Sequence, residues 1–93
     1  MFVLHVHIKM KPEQGPAVEQ VFAGPFRKAI SAQEGFRDVQ FLRSDDSENY
    51  ILSIAFDNQA LQQKWAATDL HGQVWSEMEQ YFSGYSLATF TAV

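Results

Sequence analysis

An α+β fold, with helices covering one face of an antiparallel sheet in the order β-α-β-β-α-β, follows from three features of this chain. Residues 2–10 alternate, with Phe2, Leu4, Val6, Ile8 and Met10 on one side and Val3, His5, His7 and Lys9 on the other. The next stretch carries apolar residues at three- and four-residue steps. Two strand-like stretches then flank the polar run Ser44-Asp45-Asp46-Ser47-Glu48, and a second helical section leads to a last strand-like stretch. A period of two marks strands and a period near 3.6 marks helices.

The first strand stops before Pro12, and Lys11 to Gly15 forms a turn. Pro16 suits the first turn of a helix, where its missing N–H costs nothing. Val18, Val21, Phe22, Phe26, Ala29 and Ile30 then make one apolar helix face. Gly24-Pro25 predicts a kink within it, and Gly35 a C-terminal glycine after it. Phe36 to Arg43 is the second strand and Asn49 to Phe56 the third, apolar enough to be central. Asp57 or Asn58 can cap a helix through Leu61 to about Ala67. Thr68 or Asp69 can cap another from Leu70 to about Phe82. Gly84 leads into a last strand, Tyr85 to Val93, rich in Thr, Phe and Val. This is the ferredoxin-like split βαβ arrangement, expected as one domain over residues 1–93.

The balance of the chain excludes several function classes. Seven Lys+Arg against eleven Asp+Glu give a net charge of −4 with no basic run, so the charge that neutralises nucleic-acid phosphates is missing. The absence of cysteine removes disulfides, thiolate catalysis and cysteine-held metal sites. The N-terminus has neither a charged n-region nor a long apolar run, so no signal peptide or membrane span is expected and a cytoplasmic protein is the default. Yet 46% of the residues are hydrophobic and 14% aromatic. The helices can cover one sheet face only, and the strands are so apolar that the other face must be buried too. A second copy is the simplest cover for the other face, which predicts a homodimer packed sheet against sheet.

In order and spacing, several pieces of the chain resemble the antibiotic-biosynthesis-monooxygenase superfamily of dimeric α+β barrels. They are Lys11-Pro12 after the first strand, Glu34-Gly35-Phe36, Leu42-Arg43-Ser44, Tyr50 to Phe56, and Leu61, Trp65 and Thr68-Asp69-Leu70-His71. The resemblance covers essentially the whole chain. It implies a family that includes cofactor-free monooxygenases, quinol oxidases, haem-degrading enzymes and isomerases, and the fold alone does not select among them. In the haem-degrading branch an axial His follows the Trp and an Asn sits on the first strand. Alignment on Trp65 and on Lys11-Pro12 puts those positions at Trp75 and Val6. Neither side chain can serve, so haem is not expected.

The segment from Trp65 to Trp75 carries most of the functional weight. It holds both tryptophans and His71 on a helix-break-helix. His71 is the candidate general acid/base, because a helix N-terminus favours the neutral imidazole. Trp65, Trp75, Phe22 and Phe26 are candidate pocket walls, and Tyr50 or Tyr85 a candidate hydrogen-bond donor. Each has a plainer reading as core or dimer contact. His5 and His7 share a strand face, but no third ligand has metal-site spacing, so no metal is expected and a polar lining between subunits fits them better. No Gly-rich flavin or nicotinamide motif is present, so no organic cofactor is expected. These parts suit a cofactor-independent monooxygenase acting on a small electron-rich aromatic or quinol. A non-catalytic dimeric ligand-binding protein, or an isomerase or lyase using the same His, would need the same residues.

Overall fold

In the computed structural model, which describes residues 1–93, four antiparallel strands form one sheet in the order β2-β3-β1-β4. Strand β1 (Phe2–Met10) pairs with β3 (Asn49–Phe56) on one side and with β4 (Phe82–Thr91) on the other. Strand β2 (Phe36–Arg43) closes the far edge against β3. The register keeps one set of side chains on one face: Leu4 opposes Ile54, Val6 opposes Leu52 and Ile8 opposes Tyr50. All six are buried, and all look toward the helices. Thus the alternation visible in residues 2–10 becomes the floor of the core.

The first helical section begins with α1 (Gly15–Val21), Pro16 lying in its first turn. The kink expected at Gly24-Pro25 takes the form of a π-helical turn, Phe22–Phe26, before α2 (Arg27–Ser31). Proline has no N–H and crowds the carbonyl one α-turn back. A wider turn relieves both problems, and the Arg27 N–H reaches back to the Phe22 carbonyl. Val18, Phe22, Phe26, Ala29 and Ile30 are all buried against the sheet. Two further helices, α3 (Gln59–Ala66) and α4 (Asp69–Glu79), complete the layer.

Two expected boundaries move. Gly35 does not close the helix, which ends at Ser31. It sits in the turn into β2 at φ 79°, where a Cβ would collide with Leu61 Cδ1. Similarly, α4 stops at Glu79 and β4 starts at Phe82, not at Tyr85. The Tyr81 N–H donates to the Met78 carbonyl and the Lys11 N–H to the Tyr81 carbonyl, which turns the chain into the sheet. Phe82 then pairs with Met10 across a register shift. It is buried in either arrangement, so apolar spacing could not separate strand from helix there.

No helix covers the other sheet face. On it lie Val3, His5, His7 and Lys9 of β1, Ile51 and Ser53 of β3, Leu42 of β2 and Phe90 of β4, by the pairing register. Leu42 and Phe90 are both exposed, and the Phe90 ring lies 5.0 Å from that of His5. No helix of the chain is long and apolar enough to cross a membrane.

Candidate functional site

Side-chain caps fix where α3 begins and where it breaks into α4. Asn58 caps α3, its side chain accepting from the Leu61 N–H at 2.9 Å. Thr68 caps α4, its hydroxyl accepting from the His71 N–H at 3.1 Å. The same hydroxyl donates to the Trp65 carbonyl at 2.8 Å. One side chain therefore ties the end of the Trp65 helix to the start of the His71 helix. The capping contact also satisfies an otherwise orphan N–H.

This geometry places the His71 ring between the two tryptophans. Its centroid is 5.1 Å from that of Trp65, edge to face, and 6.2 Å from that of Trp75, parallel to within 6°. Trp65 is fully buried and meets Phe26 edge to face at 6.5 Å. Trp75 is half-buried and meets Tyr85 at 5.4 Å. These rings wall a cavity of about 200 Å³ between the helices and the β1–β4 half of the sheet. Its floor is Leu4, Val6 and Ile54, and Leu87 and Tyr85 of the edge strand form its outer wall. Eleven residues line it, none of them Asp, Glu, Lys or Arg.

His71 is the titratable group of this cavity with a displaced equilibrium. Burial holds its imidazole below the ordinary value of 6.5, because an apolar surrounding disfavours the charged ring. No hydrogen bond inside the chain engages the imidazole; His71 is held through its backbone and by the stacked rings. A neutral imidazole with a free nitrogen at an apolar cavity can accept a proton from a bound ligand.

His71, Trp65, Trp75, Phe26 and Tyr85 come together at this cavity. Phe22 and Tyr50 do not line it. They belong to a second cluster at the β2 edge, where Phe41 stacks on Tyr50 at 4.7 Å and on Phe22 at 5.1 Å. There the Tyr50 hydroxyl donates to Glu19 Oε2 at 2.6 Å, and Arg43 pairs with the same carboxylate at 3.0 Å. Burial, and then the Glu19 carboxylate, push the Tyr50 hydroxyl above its ordinary value. This phenol is committed to Glu19 and packs under Gly15, where a Cβ would lie 2.5 Å from its oxygen.

Gln62, which sequence reasoning missed, also lines the cavity, one turn before Trp65. Its only sequence signal is the three-residue step to Trp65. Larger grooves, of about 930 and 560 Å³, open on the surface around Arg43 and Tyr50. Ion-paired side chains and strand ends line them, and neither contains His71. No group of three or more His, Asp or Glu is placed to hold a metal.

A family model described as antibiotic biosynthesis monooxygenase matches residues 1–75. No curated protein matches the chain. Among solved structures, a variant of SnoaB, a cofactor-independent oxygenase from Streptomyces nogalater, superposes with a TM-score of 0.87 at 16% identity, covering 98% of this chain and 91% of that one. A Nitrosomonas europaea protein provisionally named an antibiotic biosynthesis monooxygenase gives 0.86 at 15% identity, covering 100% of this chain and 99% of that one. A similarly named protein from Caulobacter crescentus gives 0.86 at 18% identity, covering 99% and 89%. At these identities the likeness is one of fold.

Proposed function

The chain belongs to the antibiotic biosynthesis monooxygenase family, and from that premise we propose that it is a cofactor-independent monooxygenase acting on a small electron-rich aromatic or quinol in the cavity beside His71. The observation that carries the reading is the free, half-buried imidazole held between Trp65 and Trp75 at a charge-free apolar cavity.

Triplet dioxygen reacts slowly with closed-shell molecules, so the substrate must supply an electron. Neutral His71 takes a hydroxyl proton from a quinol, and the resulting anion transfers one electron to dioxygen. Superoxide and the substrate radical combine at a ring carbon to give a peroxide, which the imidazolium protonates. The O–O bond then breaks as that carbon loses its hydrogen as a proton. One oxygen stays on the ring and the other leaves as hydroxide, which collects the proton and becomes water. For a hydroquinone the balance is quinol plus dioxygen to hydroxyquinone plus water, with no external reductant. Trp65, Trp75 and Phe26 wall the step with apolar rings, and the bound substrate displaces water from between them, which strengthens every electrostatic contact inside.

The protein acts as a homodimer, two copies meeting through the uncovered sheet faces. The support is the apolar content of that face, with Leu42 and Phe90 exposed in the single chain.

The decisive experiment is oxygen uptake with methylhydroquinone above its own autoxidation, with labelled dioxygen to trace one atom into product. His71→Ala is expected to lower the enzymatic rate by about 10²–10⁴-fold, the usual weight of a general base. Wild-type protein that binds the quinol but consumes no dioxygen would identify a binding protein instead. Rearranged product without oxygen uptake would identify an isomerase.

A further inference from the structure

The geometry points to Gln62 as the residue that orients the substrate, and to that substrate as an uncharged single aromatic ring carrying two oxygen functions. This rests on the cavity beside His71 being the binding site, and it goes further by fixing the size, charge and polarity of what enters.

Size comes from the volume. The cavity measures about 200 Å³, below the roughly 300–1,000 Å³ typical of small-molecule pockets. It equals about six or seven waters at the liquid share of ~30 Å³ each. One ring with two oxygens and a methyl group fits that space. A fused bicyclic diol would have to fill that space to the density of a protein interior, and the interior walls are fixed: Leu4, Val6, Ile54 and Phe26 belong to the packed core. Enlarging the cavity there would mean breaking close packing.

Charge comes from the lining, which contains no Asp, Glu, Lys or Arg. A carboxylate on the ring would enter an apolar space without a counter-charge, at a heavy desolvation cost. His71 would not supply that charge near neutral pH, since burial favours its neutral form.

Polarity comes from three side chains. Gln62, His71 and Tyr85 all line the cavity. None of the three takes part in a side-chain hydrogen bond within the chain, and none of their polar atoms is sealed off without a partner. Polar groups at an apolar cavity normally find partners. Tyr85 is 46% exposed and can turn to water. Gln62 and His71 are half-buried, one on α3 and one on α4. A ring between them meets an acceptor nitrogen on His71 for one hydroxyl and amide donors on Gln62 for a second oxygen. The Gln62 amide holds that second oxygen in place while the first hydroxyl gives its proton to His71. Gln62 is thereby a positioning residue.

The test is binding without turnover. Under anaerobic conditions, calorimetric titration of the intact protein compares methylhydroquinone, 2,5-dihydroxybenzoate, 1,4-dihydroxynaphthalene and para-xylene. Methylhydroquinone is expected to bind at least tenfold tighter than any of the others. Gln62→Leu keeps the side-chain bulk and is expected to weaken methylhydroquinone about tenfold, the weight of a lost hydrogen bond left unreplaced, while para-xylene binds no worse. Gln62→Asn, which retains the amide, is expected to recover part of the loss, and thermal unfolding reports that both variants fold. Equal binding of the naphthalene or the benzoate, no binding of methylhydroquinone, or no effect of Gln62→Leu would each overturn the inference. The two readings fail separately. Selective binding with no oxygen uptake removes the monooxygenase and leaves this site intact. Oxygen uptake with larger rings, indifferent to Gln62, does the reverse.

Discussion

His71 has a proton equilibrium that its surroundings have moved, and two measurements follow from the sign of that shift. Burial lowers the folded-state value below 6.5. The unfolded chain therefore binds the proton first as pH falls. The contribution of His71 to stability is complete above about pH 6.5 and declines as pH drops toward the lower folded value. Denaturant titrations are expected to show that slope in the wild type and a flatter one in His71→Gln. The imidazole resonance in the folded protein is expected to titrate with a midpoint under 6.5; a midpoint at or above it would contradict the buried environment. If His71 is the base, kcat/KM for the quinol falls along the same acid limb. His71 and both tryptophans were legible because a histidine flanked by the chain's two tryptophans stands out in a small chain. Gln62 was not, because it lies in Gln59-Ala-Leu-Gln-Gln, which reads as a solvated helix face, and its neighbours Gln59 and Gln63 are indeed exposed.

At the scale of elements, Thr68 and Gly35 carry separable duties. Thr68→Val keeps the shape of the side chain but removes both its bonds, to the His71 N–H and from it to the Trp65 carbonyl. A loss of about 1 kcal/mol is expected from the cap, with turnover falling further than stability accounts for. Gly35→Ala meets a positive φ and the Leu61 side chain at once, and a thermal melt is expected to drop by several degrees. Unchanged melting would mean that the turn into β2 can move. The bounds of strands β2 and β3 were legible, because the polar Ser44–Glu48 run separates two apolar stretches; their pairing, with its bulge between Phe36 and Asp38, was not. The junction at Phe82 was not, since helix and strand both bury that residue. The π-turn was legible only as a kink: Pro25 announces that the α ladder fails, but not which wider hydrogen bond replaces it.

The whole molecule is a two-layer slab of 34 × 29 × 18 Å with one sheet face left to water. Stable pairs of proteins bury about 800 Å² per partner. If the open face forms the dimer, a charge at its middle should split it without unfolding the chain. Ile51 sits there on central strand β3, opposite His7. Ile51→Glu is expected to sediment as a folded monomer where the wild type sediments as a dimer; a wild-type monomer at micromolar concentration would remove the dimer altogether. The arrangement of rings around His71 has one more consequence. The chain contains two tryptophans, and both touch the same imidazole. Excited at the red edge of the indole absorption, where the three tyrosines are silent, the chain emits from these two rings alone. Imidazolium quenching, a quinol entering the cavity, or α3 and α4 parting would each change the whole signal, so an unlabelled sample in a fluorimeter observes this one site.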